Sequence, residues 1–169
     1  DREAEAARIL HGLSIRPDGS LVHLRDTAVQ TEFPHQEYPR YNRTVVRRFA
    51  LPEGKPGTTL DAAYEVQRNR ALFGRPFYAS YPLGGVAPMR NLSVELSLPK
   101  DRTLRWEVLN DPDDSVQHAS RQRNGRVVHT WTRAESPRLV PAPRMPPLED
   151  LVPRLVVSAG VGSWQDQAN

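Results

Sequence analysis

Apolar and polar residues alternate with a period of two along much of this chain. Leu92, Val94, Leu96 and Leu98 interleave with Asn91, Ser93, Glu95 and Ser97, and Leu60, Ala62, Tyr64 and Val66 interleave with Asp61, Ala63, Glu65 and Gln67. Leu104, Trp106 and Val108 flank Arg105 and Glu107, while Val45, Phe49 and Leu51 share one face of the run from Thr44 to Leu51. This pattern predicts strands with one wet face and one face packed on a core, as in antiparallel sheets. About seven or eight short strands with little helix predict an all-β chain, an antiparallel β-sandwich.

Two glycine turns set registers. Asp18-Gly19 is suited to a type I′ turn, which needs φ > 0 at both central residues and would set Ile15 opposite Val22 and Leu13 opposite Leu24. In that register His11 and His23 fall on opposite faces and cannot share a metal. Asn124-Gly125 predicts a second hairpin of the same type, with His118 opposite Trp131 and His129 opposite Ser120, all four on one face. Two histidines beside a tryptophan suit a metal or a cation. A third ligand is missing from the local sequence, so cross-strand packing is the simpler expectation.

The remaining stretches are less regular. Asp1 to Leu10 is rich in helix formers but runs straight into a β pattern, leaving propensity and context in conflict. From Asp26 to Arg43 a short strand near Ala28 to Glu32 is followed by a surface excursion through Pro34 and Pro39. Tyr38, Arg40, Tyr41 and Arg43 alternate rings with guanidinium groups; they suit stacking on bases or sugars, although arginine stems covering tyrosine faces is the simpler reading. Asn69 to Met89 holds Phe73, Phe77, Tyr78 and Tyr81 among glycines and prolines. It is expected to be irregular, packing the end of the sandwich or, where rings are exposed, offering a partner surface. Gly84-Gly85 lacks the following lysine and helix of a phosphate loop. Asp111-Pro112-Asp113-Asp114 lacks the EF-hand pattern and is read as a solvated acidic turn.

Six prolines between Pro137 and Pro153 exclude a helix or a central strand there and predict an extended strap, with Met145 as its apolar anchor. Leu155-Val156-Val157 then suits a short strand, and Ser163-Trp164-Gln165-Asp166 has the S-x-x-D form of a helix start. With Met145-Pro146-Pro147, Val152-Pro153-Arg154-Leu155-Val156-Val157-Ser158, Ser163-Trp164 and, more weakly, Ile15-Arg16-Pro17-Asp18-Gly19, the chain resembles the DUF3857 domain. That β-rich module precedes a transglutaminase-like domain in many bacterial proteins. The resemblance implies one β-sandwich domain over residues 1–160, trimmed or short at its start, with 161–169 leading into a following domain. It also implies a periplasmic or otherwise extracytoplasmic protein, in which a papain-like cysteine, histidine and aspartate lie beyond Asn169.

Composition narrows the chemistry. The 169 residues contain no cysteine, which removes disulfides, thiolate metal sites and a cysteine nucleophile from this chain. Basic residues exceed acidic by 23 − 20 = 3, and no apolar run reaches membrane-span length, so neither nucleic acid nor a bilayer is an expected partner. No serine sits in a G-x-S-x-G elbow, and Asp61 and Glu65 are about 13 Å apart along a strand, too far for a coupled carboxylate pair. No catalytic residue, cofactor or metal site is therefore expected. The leading expectation is a non-catalytic accessory module for a following transglutaminase-like domain. The alternative is a sandwich binding peptide or carbohydrate, and the surface residues suggested for interaction are Tyr38, Tyr41, Phe73, Phe77, Tyr78, Tyr81, Met145 and Trp164.

Overall fold

The computed structural model describes residues 5–34, 45–68 and 77–160. These residues form antiparallel sheets and two single 3-10 turns, Asp26–Ala28 and Leu148–Asp150. The chain is all-β. It divides into two compact units, Asp1–Ala71 and Leu72–Asn169.

In the first unit β1 (Glu5–Ile15) lies between β2 (Leu21–His23) and β5 (Thr59–Arg68), and β3 (Val29–Glu32) pairs with β4 (Val46–Phe49). The helix formers at the start of the chain are overridden: β1 pairs with β5 from Glu5↔Arg68 to Ile15↔Thr59, and ladder pairing outweighs propensity. A bulge between Ile9 and His11 interrupts the register.

The first hairpin differs from the expected register by one residue. Leu13 pairs with His23 and Ile15 with Leu21, because only Gly19 has positive φ, at 82°. Gly19 N–H donates to the Arg16 carbonyl and Arg16 N–H to the Ser20 carbonyl, so Pro17 and Asp18 occupy a type I turn and Gly19 supplies the left-handed bulge residue. Proline is favourable at Pro17 in that turn. The slip places His11 and His23 on the same face, and it makes Gly12 and Ser14 the buried positions of β1. A Cβ on Gly12 would lie 2.9 Å from Leu51 Cδ2 and 3.0 Å from Leu24 Cδ2, so the missing side chain is what lets those leucines close over the strand. The buried Ser14 hydroxyl donates to the Pro52 carbonyl.

The second unit is a sandwich of two three-stranded sheets. One has β10 (Arg126–Ser136) between β7 (Met89–Pro99) and β9 (Gln117–Arg123); the other has β11 (Arg154–Ala159) between β6 (Phe77–Pro82) and β8 (Leu104–Leu109). The core forms between them from Leu83, Val116, Trp131, Leu155 and Val157, with Leu92, Val94, Leu96, Leu104 and Val108 packed against it. The alternation expected for β7 is observed; in β8 Leu104 and Val108 are half-buried but Trp106 between them is exposed. The Asn124-Gly125 hairpin also forms as expected, with φ of 50° and 71° and the pairs Trp131↔His118 and His129↔Ser120.

One expectation changes in this unit, and the strand expected at Leu155-Val156-Val157 forms. The Phe77–Tyr81 stretch is a regular strand, not an irregular loop: its side chains alternate inward and outward, and Pro82 is tolerated because β6 is an edge strand at its last residue. Leu155-Val156-Val157 is the central strand of its sheet, with Leu155 and Val157 fully buried. The proline-rich segment before it carries no strand. It is held by Leu139 N–H to the Gly85 carbonyl, Asn110 Nδ2 to the Glu149 carbonyl and Leu83 N–H to the Pro153 carbonyl.

Candidate functional site

Of the residues the sequence nominates for interaction, Tyr38, Tyr41, Phe73 and Trp164 lie outside the described residues, as does the S-x-x-D helix start. The others do not form one surface. Phe77 and Tyr81 turn inward against the core, paired across β11 with Ala159 and Leu155. Tyr78 turns outward and is 64% exposed, beside Ser158 and, one strand further, Arg105. Met145 is half-buried in the proline-rich segment, following Arg144 at φ 62° and donating its N–H to the Ala142 carbonyl.

A different surface emerges on the first unit. Leu60, Tyr64 and Val66 share one face of β5 and are 50%, 72% and 46% exposed. Their cross-strand partners on β1 are Ser14, Ile9 and Ala7. Gly12 and Ser14 of β1 are covered by Leu51 and Pro52, whereas the β5 side chains on this face stay exposed. The alternation predicted a half-buried strand, but among the described residues Leu60, Ala62, Tyr64 and Val66 are all exposed. The other face of the same sheet is polar: Arg8 Nε meets Glu65 Oε2 at 2.6 Å and His11 Nε2 lies 3.1 Å from Asp61 Oδ1. The carboxylates of Asp61 and Glu65 are thus each engaged with a different basic group. Ser14, on the opposite face, bonds to backbone and not to His11.

The second unit gathers four rings at the edge where β8 and β9 meet. Trp106 of β8 approaches His118 of β9 at 4.5 Å between centroids and Trp131 of β10 at 5.6 Å. His118 lies 4.9 Å from Trp131 and stacks on His129 at 5.4 Å, with its Nε2 3.2 Å from His129 Nδ1. Burial, and the proximity of His118, hold the His129 imidazole below its ordinary pKa. Trp131 is fully buried, its Nε1 without a hydrogen-bond partner. The sequence placed three of these rings on one face; the contribution of Trp106 depends on how the two sheets pack and has no local signal.

The acidic turn and the glycine pair are structural. Asp111 accepts from Ser115 Oγ at 2.6 Å and from Val116 N–H at 2.9 Å. Although burial pushes its pKa up, these bonds and Arg133 bring it below the usual carboxylate value. Gly84 is buried where a Cβ would meet Ser136 Oγ at 2.8 Å and Val152 Cβ at 3.1 Å. No group of three or more His, Asp or Glu side chains suited to one metal ion occurs among the described residues, and none of the described helices is long and apolar enough to cross a membrane.

Comparison with known proteins agrees with this architecture. The crystal structure of a "putative protease" from Parabacteroides distasonis superposes with a TM-score of 0.82 over 94% of this chain at 19% identity, and shows the fold. The aligned region is 31% of that protein, so the chain spans about a third of its length. No curated protein matches the chain. The family model described as a domain of unknown function with solved structure, DUF3857, matches residues 1–139. The match stops short of Met145 to Ser158, the motifs that most suggested the family. Because it nevertheless covers both hairpins and ten of the eleven strands, the chain belongs to the DUF3857 family.

Proposed function

We propose that this chain is a non-catalytic accessory module that packs against, and positions, a following transglutaminase-like domain of the same polypeptide. The observation that carries the reading is that the same fold occupies 31% of a much longer chain described as a putative protease. The open face of β5 supports it, since Leu60, Tyr64 and Val66 offer apolar area of the kind that contacts between domains cover. Any hydrolytic centre belongs to the neighbouring domain. The family resemblance further favours an extracytoplasmic bacterial protein, and the lack of cysteine suits an oxidising compartment.

The test is to produce this chain and the following domain as separate polypeptides and measure their association. Wild-type protein is expected to bind, and the double variant Tyr64→Asp, Val66→Asp to bind at least about tenfold more weakly, as for loss of a central apolar contact. Absence of association by the wild type, or hydrolytic activity residing in this chain alone, contradicts the proposal.

A further inference from the structure

We propose that His118 and His129 form a two-imidazole site for one divalent transition-metal ion, Cu(II) in preference to Zn(II), at the edge of the sandwich where β8 meets β9. The spacing of the donors carries the inference. Nitrogens each about 2.0–2.1 Å from a tetrahedral ion are about 3.3–3.4 Å apart, and cis positions of a square-planar ion are about 2.8–2.9 Å apart. The 3.2 Å between His118 Nε2 and His129 Nδ1 lies between these values; the two nitrogens share a hydrogen bond in the metal-free chain, and the ion would take the place of that proton, which moves to the far nitrogen of the donor ring. Diagonal placement across the β9–β10 ladder sets this spacing, because His118 pairs with Trp131 and His129 with Ser120.

The two rings have complementary freedom. His129 is half-buried, opposite Leu96 and stacked on Trp131 at 5.8 Å, so its ring is fixed. His118 is exposed and can turn until its Nε2 lone pair meets that of His129 Nδ1 at a common point. Both rings bind as neutral imidazoles, each keeping its proton on the nitrogen facing away from the ion, and water completes the coordination. Imidazole nitrogen favours Cu(II) over Zn(II) in the general affinity order and discriminates against Ca²⁺ and Mg²⁺, which prefer oxygen. The walls are Trp106 and Trp131, with ring centroids 4.5 and 4.9 Å from His118.

Those walls make binding directly readable. In a Trp164→Phe background, which leaves Trp106 and Trp131 as the only fluorophores of their type, Cu(II) titrated into the purified chain should quench the emission and saturate at one equivalent. Zn(II) followed by calorimetry should bind the same site more weakly. His118→Asn and His129→Asn should each weaken Cu(II) binding at least about tenfold, in line with the loss from disturbing a metal site, whereas His11→Asn and His23→Asn should leave it unchanged. His118 is exposed, so its variant retains the fold and decides the question even where His129→Asn loosens the core; circular dichroism checks this. Quenching that does not saturate at one equivalent, or that is the same in His118→Asn as in the parent, overturns the proposal.

Discussion

Trp131 of β10 and Trp106 of β8 meet edge to face at 5.6 Å, one fully buried and the other 41% exposed, and so join the two sheets of the second unit at their edge. Aromatic pairs in this geometry contribute beyond their buried area, by about 0.5–1.5 kcal/mol. Trp131→Ala should therefore destabilise the second unit by about 3–5 kcal/mol. Trp131→Phe should cost much less, because it keeps a ring and removes a buried N–H that has no partner. Denaturant unfolding monitored by circular dichroism distinguishes the two.

The same cluster gives stability a pH dependence. The folded-state pKa of His129 is lowered by burial and by His118. The unfolded chain thus takes up the proton first as the solution is acidified. The contribution is fully present above the unfolded imidazole pKa and is lost as pH falls from there through the folded pKa. The denaturant midpoint should drop between about pH 7 and pH 5, where histidines titrate, and His129→Gln should flatten that segment. A slope unchanged by the substitution would assign it to other groups.

Gly84, just after β6, packs against the end of β10 and the segment leading into β11. A Cβ at this position would lie 2.8 Å from Ser136 Oγ and 3.1 Å from Val152 Cβ, and 3.2 Å from the Arg133 Nη1 that donates to the Leu83 carbonyl. Gly84→Ala should lower stability by about 1–3 kcal/mol, as overpacking does. Gly85→Ala should be milder, because the flexible end of Met89 is what it meets, at 2.7 Å. Thermal melts of the two variants provide the comparison.

Much of this architecture is legible in the residues, and the failures are physical. The Asn124-Gly125 hairpin is readable because both turn residues tolerate positive φ, so the turn alone fixes the register and the face of His118, His129 and Trp131. At Asp18-Gly19 the analogous dipeptide misleads. Pro17 favours a type I turn with Gly19 as the bulge, and a shift of one residue exchanges the faces, burying Ser14 in place of Leu13. Phe77 to Tyr81 is a strand whose alternation is disguised by aromatics on both faces. Leu155 and Val157 sit in the core although prolines precede them, because Pro153 ends the irregular segment one residue before β11. What local pattern cannot supply is long-range: that β8 and β9 bring Trp106 to His118, and that among the described residues Leu60, Tyr64 and Val66 of β5 stay exposed.

That uncovered face is where the account is most exposed to measurement. Hydroxyl-radical footprinting with mass spectrometry reads Tyr64 and Tyr78 separately, and both are open in this chain, at 72% and 64%. In a longer polypeptide carrying the proposed transglutaminase-like domain, Tyr64 should lose most of its reactivity while Tyr78 keeps its own. Equal reactivity of Tyr64 with and without the following domain would contradict the docking of a neighbour on β5.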